Sequence, residues 1–297
     1  MTLRDPQRPG PPHRALGKTG VRLPVLGLGT APAGHRPEAE AVAFFHRCLD
    51  LGVTHLDTGP ALGGFGQAQK YLAPVLAERR EEAFVATRCS VPDGEAALAQ
   101  LRENLADLGI ERADLVYVQS LGNDEMTPER IYAEGGVCRA LERARDDGLT
   151  RFLGVSGHHR PGRFLEALRN WDFDVMLTAA NVVTRHSYAF ESTVWPEAEK
   201  RGIARLAMKV YGGVADGRLS AKGAALPEPL QADGLRYALG LPGASGVLLG
   251  MVDEAELQQN LARVREFSPL TAAELARLEA PTEALAAEWG EIYGPRG

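Results

Sequence analysis

Past residue 24 the chain alternates short apolar runs with longer stretches whose apolar positions recur at helical spacing. "VLGLGT" (25–30) leads into "PEAEAVAFFHRCLDLG", where Pro37 suits a first helical turn and Gly52 a stop. "HLD" is followed by a helix around "QAQKYLAPVLAE", with Pro74 marking an irregularity. "FVATR" precedes "GEAALAQLRENLADLG", and "LVYVQ" precedes "ERIYAEGGVCRALERARDDG". The rhythm continues with "FLGVS" and "GRFLEALRN", then "VMLTAAN" and "TVWPEAEKRG". "ARLAMK" pairs with "GLRYALG" after an insertion, and "GVLLG" with "EAELQQNLARVRE". Eight such units predict an α/β fold, a closed (β/α)8 TIM barrel. Two doubly wound domains compete with it, but no central linker divides the chain. Ahead of the first barrel strand, "RALGKTGVRLP" sets a glycine turn between two strand-like pieces, a β-hairpin expected to close the barrel's bottom. Residues 1–13 read as a disordered, proline-rich arm and 14–297 as a single barrel domain.

Composition narrows the function classes. Hydrophobic residues make up 44% and charged residues 24%, ordinary globular values. No apolar run approaches ~20 residues, so no membrane span is expected. "MTLRDPQRPGPPHR" has no apolar core of a secretory signal, so a cytoplasmic protein is expected. The net charge of −6 argues against nucleic-acid binding. Cys48, Cys89 and Cys138 are scattered without metal-ligand spacing and read as reduced thiols. The partner class left is a small-molecule substrate, with the oligomeric state open.

In such a barrel, chemistry belongs at the C-terminal strand ends. The first four end in Thr30, Asp57, Arg88 and Gln119; the last four end in Ser156, Asn181, Lys209 and Gly250. Ordinary solvated strand ends are the plain alternative for any single member. It fits less well for Asp57, Arg88 and Lys209, where charges terminate apolar runs and need partners.

The order of these pieces resembles the aldo-keto reductase superfamily. "RALGKTGVRLPVLGLGT" is similar to that family's opening hairpin and first strand, and "LGVTHLDTG" to its second strand with the catalytic aspartate. "FVATR", "ADLVYVQS", "FLGVSGHH" and "GIARLAMKVYGG" resemble strands three, four, five and seven. "LLGMVDEAELQQN" resembles the segment that clasps the adenosine end of the cofactor. The resemblance implies NADPH-dependent carbonyl reduction by an Asp-Tyr-Lys-His tetrad. Carried over, the aspartate is Asp57, the lysine position holds Arg88 and the histidine position holds Gln119. The tyrosine position is Leu62 by direct count, or Phe65 if the glycine-rich loop of "HLDTGPALGGFG" carries an insertion. Neither has a hydroxyl.

These replacements change the chemistry expected. Carbonyl reduction needs a donor that gives up a proton near neutral pH, and neither Leu nor Phe has one. Arg88 keeps its proton and is a poor acid, though it can bind an anion. Gln119 can donate an N–H bond but cannot transfer the proton. Asp57 and Arg88 are therefore expected to form an ion pair at the barrel mouth, outside any proton relay.

The resemblance also places cofactor contacts at Thr30, Ser156, Asn181, Gly250, Glu256 and Asn260. Gly157 stands where many members have an asparagine, and Glu256 where many have a base for the 2′-phosphate. A carboxylate there disfavours NADPH, leaving NADH, NAD(P) at reduced affinity, or no dinucleotide. His158, His159 and His35 are further candidates for chemistry, with capping or surface roles as the alternative; His55 reads as barrel filling. Asp57, His35 and His158 could approach a metal ion, but no spacing motif supports a site, and none is expected. Lys209 suits phosphate binding or a carboxylate partner better than nucleophilic attack. With Arg88, Lys209 and His158 around Asp57, the mouth suits a polar or anionic molecule.

Three functions stay open at this point. One is an atypical enzyme of elimination, isomerisation or lyase type. Another is an NAD(P)H-dependent carbonyl oxidoreductase using a relocated acid. The last is a non-catalytic binding or regulatory protein.

Overall fold

The structure, a computed structural model, describes residues 10–213 and 224–297; residues 1–9 of the expected arm and 214–223 of the expected insertion lie outside the described residues. The chain begins with an antiparallel hairpin of β1 (His13–Ala15) and β2 (Arg22–Pro24). Its turn uses Gly17, whose φ is +53° and where a Cβ would lie 2.4 Å from the Ala204 amide nitrogen. Leu16, Val21 and Leu23 of the hairpin are buried in one cluster with Leu115, Val175 and Leu206 from inside the barrel. The bottom is thus plugged by hydrocarbon, as expected.

The barrel strands are β3 (Leu26–Gly29), β4 (His55–Asp57), β5 (Phe84–Cys89) and β6 (Ala113–Val118), followed by β7 (Thr150–Gly157), β8 (Val175–Ala179), β9 (Ala204–Met208) and β10 (Ala244–Gly250). They pair in parallel, in sequence order, and β10 closes onto β3. Both faces of each strand are covered, which is why the sequence shows nearly continuous apolar runs there. Period-two alternation turns Phe84 and Ala86 of β5 into the barrel and Val85 and Cys89 toward the helices. Arg88 continues the inward row, beside Tyr117 of β6 in register.

Three departures from the sequence reading have local causes. Pro74 lies within the helix Ala68–Arg79 without ending it. The stretch expected as one helix after β6 splits into Pro128–Ile131 and Val137–Asp146. Gly136 at the break pairs with Asp93 as an isolated bridge, and a Cβ there would come within 2.5 Å of the Arg130 carbonyl oxygen. Beyond the eighth unit a further helix, Ala272–Trp289, starts in a capping box formed by Thr271 and Glu274. It packs Leu278, Ala286 and Trp289 against Val182, Val183 and Tyr237, and delivers the last residues of the chain to the barrel mouth. No helix among the described residues is long and apolar enough to cross a membrane.

Candidate functional site

The C-terminal ends of β4 and β5 bring together the two charges that the sequence placed there. The Arg88 guanidinium donates to Asp57 Oδ1 through Nη2, and to the Thr58 carbonyl oxygen through Nε at 2.9 Å. Both residues are buried, Asp57 at 4% and Arg88 at 5% exposure, so neither charge is left to water. Burial pulls the Arg88 pKa down to about 10, still above physiological pH, and the contact with Asp57 favours the charged form.

The loop after β4 supplies the lid of this pair. Leu62 is 98% exposed and touches none of it, whereas Phe65 is buried with its ring 4.6 Å from the Arg88 guanidinium carbon. Phe65 is therefore the loop residue that occupies the site. Gly59 makes the approach possible, because a Cβ there would lie 2.8 Å from the Phe65 ring and 2.9 Å from Arg88 Cδ. Tyr117 lies on another side of the guanidinium, its ring centroid 5.5 Å away. Arg88 is thus tied by its nitrogens and flanked by two aromatic rings, which leaves it less able to seize an anion than the sequence suggested.

Several polar atoms around Arg88 are buried without a partner: Asp57 Oδ2, Tyr117 Oη, Gln119 Oε1 and, one layer below Asp57, His55 Nε2. Burial holds His55 neutral, with its pKa down to about 4, so it fills the barrel as expected. The Tyr117 ring fits only because its neighbour on β7 is Gly154, where a Cβ would lie 2.5 Å from the ring. Burial pushes the Tyr117 hydroxyl's pKa up, with Arg88 opposing. An unpaired buried hydroxyl costs about 1–3 kcal/mol. Tyr117→Phe keeps the ring and removes that cost, so a gain of roughly 1 kcal/mol is expected in urea denaturation. A loss of stability would show that the hydroxyl has a partner, such as a buried water.

On the far side of the mouth, His158 and His159 follow β7. His158 is held neutral by burial and by the charges of Lys209 and Arg88, so its position belongs to the same electrostatic cluster. Its ring lies 5.7 Å from that of Tyr293, near the end of the chain. Lys209 follows β9 in a left-handed conformation, φ 58°, shared by Ser120 after β6 and Arg160 after β7. Such backbone is costly outside glycine and is frequent where a site needs it. Asn181 holds the Lys209 turn: its Nδ2 donates to the Lys209 carbonyl oxygen at 2.7 Å, and its Oδ1 accepts from the Val183 and Thr184 amides. His35 faces the Gly64 carbonyl oxygen at 3.1 Å. Among the described residues no three His, Cys, Asp or Glu side chains are grouped to hold a metal ion.

The positions read as cofactor contacts are largely committed to the protein itself. Thr30 is buried and donates through Oγ1 to the Asp57 carbonyl oxygen at 3.1 Å. Ser156 is buried, and Gly157 has no room to become an asparagine, since a Cβ there would lie 2.8 Å from Phe164. Gly250 is exposed beside Pro32. The helix Glu254–Arg265 caps its own start: Asp253 accepts from the Glu256 amide, and Glu256 accepts from the Val252 amide, both at 2.9 Å. These carboxylates occupy amide donors that a phosphate would need free, and they add negative charge that repels it. Asn260 Oδ1 accepts from the Tyr211 hydroxyl at 2.7 Å, and Arg263 donates to that same hydroxyl at 3.1 Å. The residues present do not fit the 2′-phosphate of NADPH.

Phe65 was one of two candidates for the tyrosine position, whereas Tyr117 and the C-terminal residues were not singled out from the sequence. Tyr117 had a usable signal, since it lies two positions before Gln119 and so on the same strand face. The C-terminal residues had none.

Comparison with known proteins agrees with this architecture. The model of the aldo/keto reductase family matches residues 25–231. L-galactose dehydrogenase from Arabidopsis thaliana is 27% identical, covering 86% of this chain and 89% of that protein. Pyridoxal 4-dehydrogenase from Microbacterium luteolum is 24% identical, covering 86% and 94%. An aldo-keto reductase from Bacillus halodurans, solved in its holo form, superposes with a TM-score of 0.73 at 20% identity, covering 91% of this chain and 96% of that one. The match over most of the chain, with the closed barrel and plugged bottom, makes this protein a member of the aldo/keto reductase family of oxidoreductases.

Proposed function

We propose that this chain is a small-molecule enzyme on the reductase barrel that does not use the family's tyrosine acid. The observation that carries this reading is the ring of Phe65 lying on an Arg88 locked to Asp57, where a proton donor and a lysine would be needed. Arg88 stays charged and holds Asp57, so the pair is a fixed dipole in the floor of the mouth. The groups left to act are His158, Lys209 and Gln119. His158 is held neutral and offers an unprotonated ring nitrogen, a base weakened by burial and by the Lys209 and Arg88 charges; Lys209 can stabilise negative charge that develops on an oxygen; Gln119 can donate a hydrogen bond to it. That set supports proton abstraction beside a carbonyl or carboxylate of a polar or anionic molecule, hence elimination, isomerisation or lyase chemistry.

The test is exchange of carbon-bound hydrogen for deuterium in small hydroxyaldehydes, followed by proton NMR in D2O without dinucleotide. Exchange above the uncatalysed rate is expected, with a loss of about 10²–10⁴-fold in His158→Gln. If conversion requires a dinucleotide, the reading fails. A second reading, NAD(P)H-dependent carbonyl oxidoreduction with a relocated acid, is favoured by a buried, unpartnered Tyr293 hydroxyl on a ring packed against His158, and by the names of the dehydrogenase relatives.

A further inference from the structure

The last residues of the chain cross the ends of β6, β7 and β8. After the helix Ala272–Trp289 stops at Gly290, the Tyr293 amide donates to the Tyr188 hydroxyl at 3.1 Å, and that hydroxyl donates to the Gly294 carbonyl oxygen at 2.8 Å. The Arg160 amide donates to the Pro295 carbonyl oxygen at 3.2 Å. The Tyr293 ring rests against His158 and Tyr188, with centroids 5.7 and 5.8 Å away. Its hydroxyl is buried without a partner. Next to it, the His159 ring is pinched between two glycines: a Cβ would come within 2.9 Å of the ring at Gly294 and within 2.7 Å at Gly122. Gly294 has a φ of +117°, so it is required both for its backbone and for its lack of a side chain. His159 is buried, and its Nδ1 has no partner.

We propose that residues 291–295 form a proton-sensitive strap over the candidate site: seated on two neutral histidines it roofs the barrel mouth and brings in the Tyr293 hydroxyl, and it lifts when those histidines become charged. A positive His159 would be poorly compensated among the described residues. Arg160 and Arg163 lie beside it and disfavour its charge; Asp124 and the Gly122 carbonyl favour the charge, but Asp124 is already paired with Arg160, and a charge on His159 in turn disfavours one on His158. Around His158 stand Lys209 and Arg88, both positive, and the Tyr293 ring from the strap. Glu291 and Arg296 of the strap region face Tyr188.

The direction of the response follows from these surroundings. Burial depresses both histidines below the ordinary value of 6.5, so a proton binds the open form more readily than the closed one. Above that value both forms are neutral and the strap is at its tightest. As pH falls below it the open form gains, by about tenfold for each unit by which closure lowers a histidine's pKa.

The inference rests on the proposed function only for its consequence, control of entry to the mouth. The experiment reads the strap in the ligand-free protein, so an absence of turnover would sink the proposed function and leave this test standing. Arg296, exposed beside the strap, is replaced by cysteine and spin-labelled, the native cysteines being buried. The expected electron paramagnetic resonance spectrum is immobilised at pH 8, with a mobile component that grows as pH falls from 6.5 to 5. In a His158→Gln/His159→Gln background the spectrum should no longer change with pH. Gly294→Ala should be mobile throughout. An immobilised wild-type background at pH 5, or a pH response that survives the double substitution, overturns the proposal.

Discussion

Replacing Asp57 by alanine is expected to cost about 3–5 kcal/mol of stability, because it leaves the Arg88 charge buried and uncompensated. The guanidinium cannot escape to water: it lies between the Phe65 and Tyr117 rings, and its Nε is fixed to the Thr58 carbonyl oxygen. Arg88→Met should cost a similar amount, since Asp57 Oδ1 then loses its donor while Oδ2 already lacks one. The double variant Asp57→Ala/Arg88→Met removes both charges together and should be markedly more stable than the sum of the two losses, by at least about 2 kcal/mol. Urea denaturation of the four proteins measures this. Strict additivity would show that the two charges do not depend on each other, and the locked pair would have to be abandoned.

The barrel was readable because its strands are buried on both faces and its helices on one, which writes two different periods into the chain. The ion pair was readable for a related reason. Two opposite charges ending neighbouring apolar strands have few places to go but toward each other. The choice between Leu62 and Phe65 was not readable by counting, because a glycine-rich loop can absorb extra residues without disturbing the strands around it. Only burial separates them: Leu62 reaches into solvent and Phe65 covers the guanidinium.

Glu256 was read as a repulsive charge facing a phosphate. The structure gives it a second role, as a cap on the amide of Val252. The signal for that was present in "VDEAE", where an aspartate precedes a helix and a glutamate follows three residues later. The strap left no such mark. Its contacts join residues about a hundred positions apart, such as Tyr188 and Gly294, and no local periodicity encodes them.

Simple activated aldehydes with NADPH should be turned over at background. Phe65 has no proton to give, Arg88 holds its own, and Gln119 can only orient a carbonyl. The carboxylates capping the helix start are expected to weaken 2′-phosphate binding, so NADH should bind more tightly than NADPH by calorimetric titration. Phe65→Tyr alone is expected to recover less than about tenfold, because the new hydroxyl would face an arginine already held by Asp57 rather than a lysine. Adding Arg88→Lys and Gln119→His should recover more than the single change when assayed with NADH, up to the 10²–10⁴-fold typical of general acid catalysis. A single substitution that matched the triple one would mean that Arg88 and Gln119 already do the work of lysine and histidine.

The most direct test of the central claim, that the family's tyrosine acid is absent from this mouth, is the rate of NADPH and NADH oxidation by the unmodified protein with an activated aldehyde such as 4-nitrobenzaldehyde. The rate predicted is that of the enzyme-free control with either dinucleotide. Brisk, saturable reduction would contradict the account and place a working acid beside Phe65.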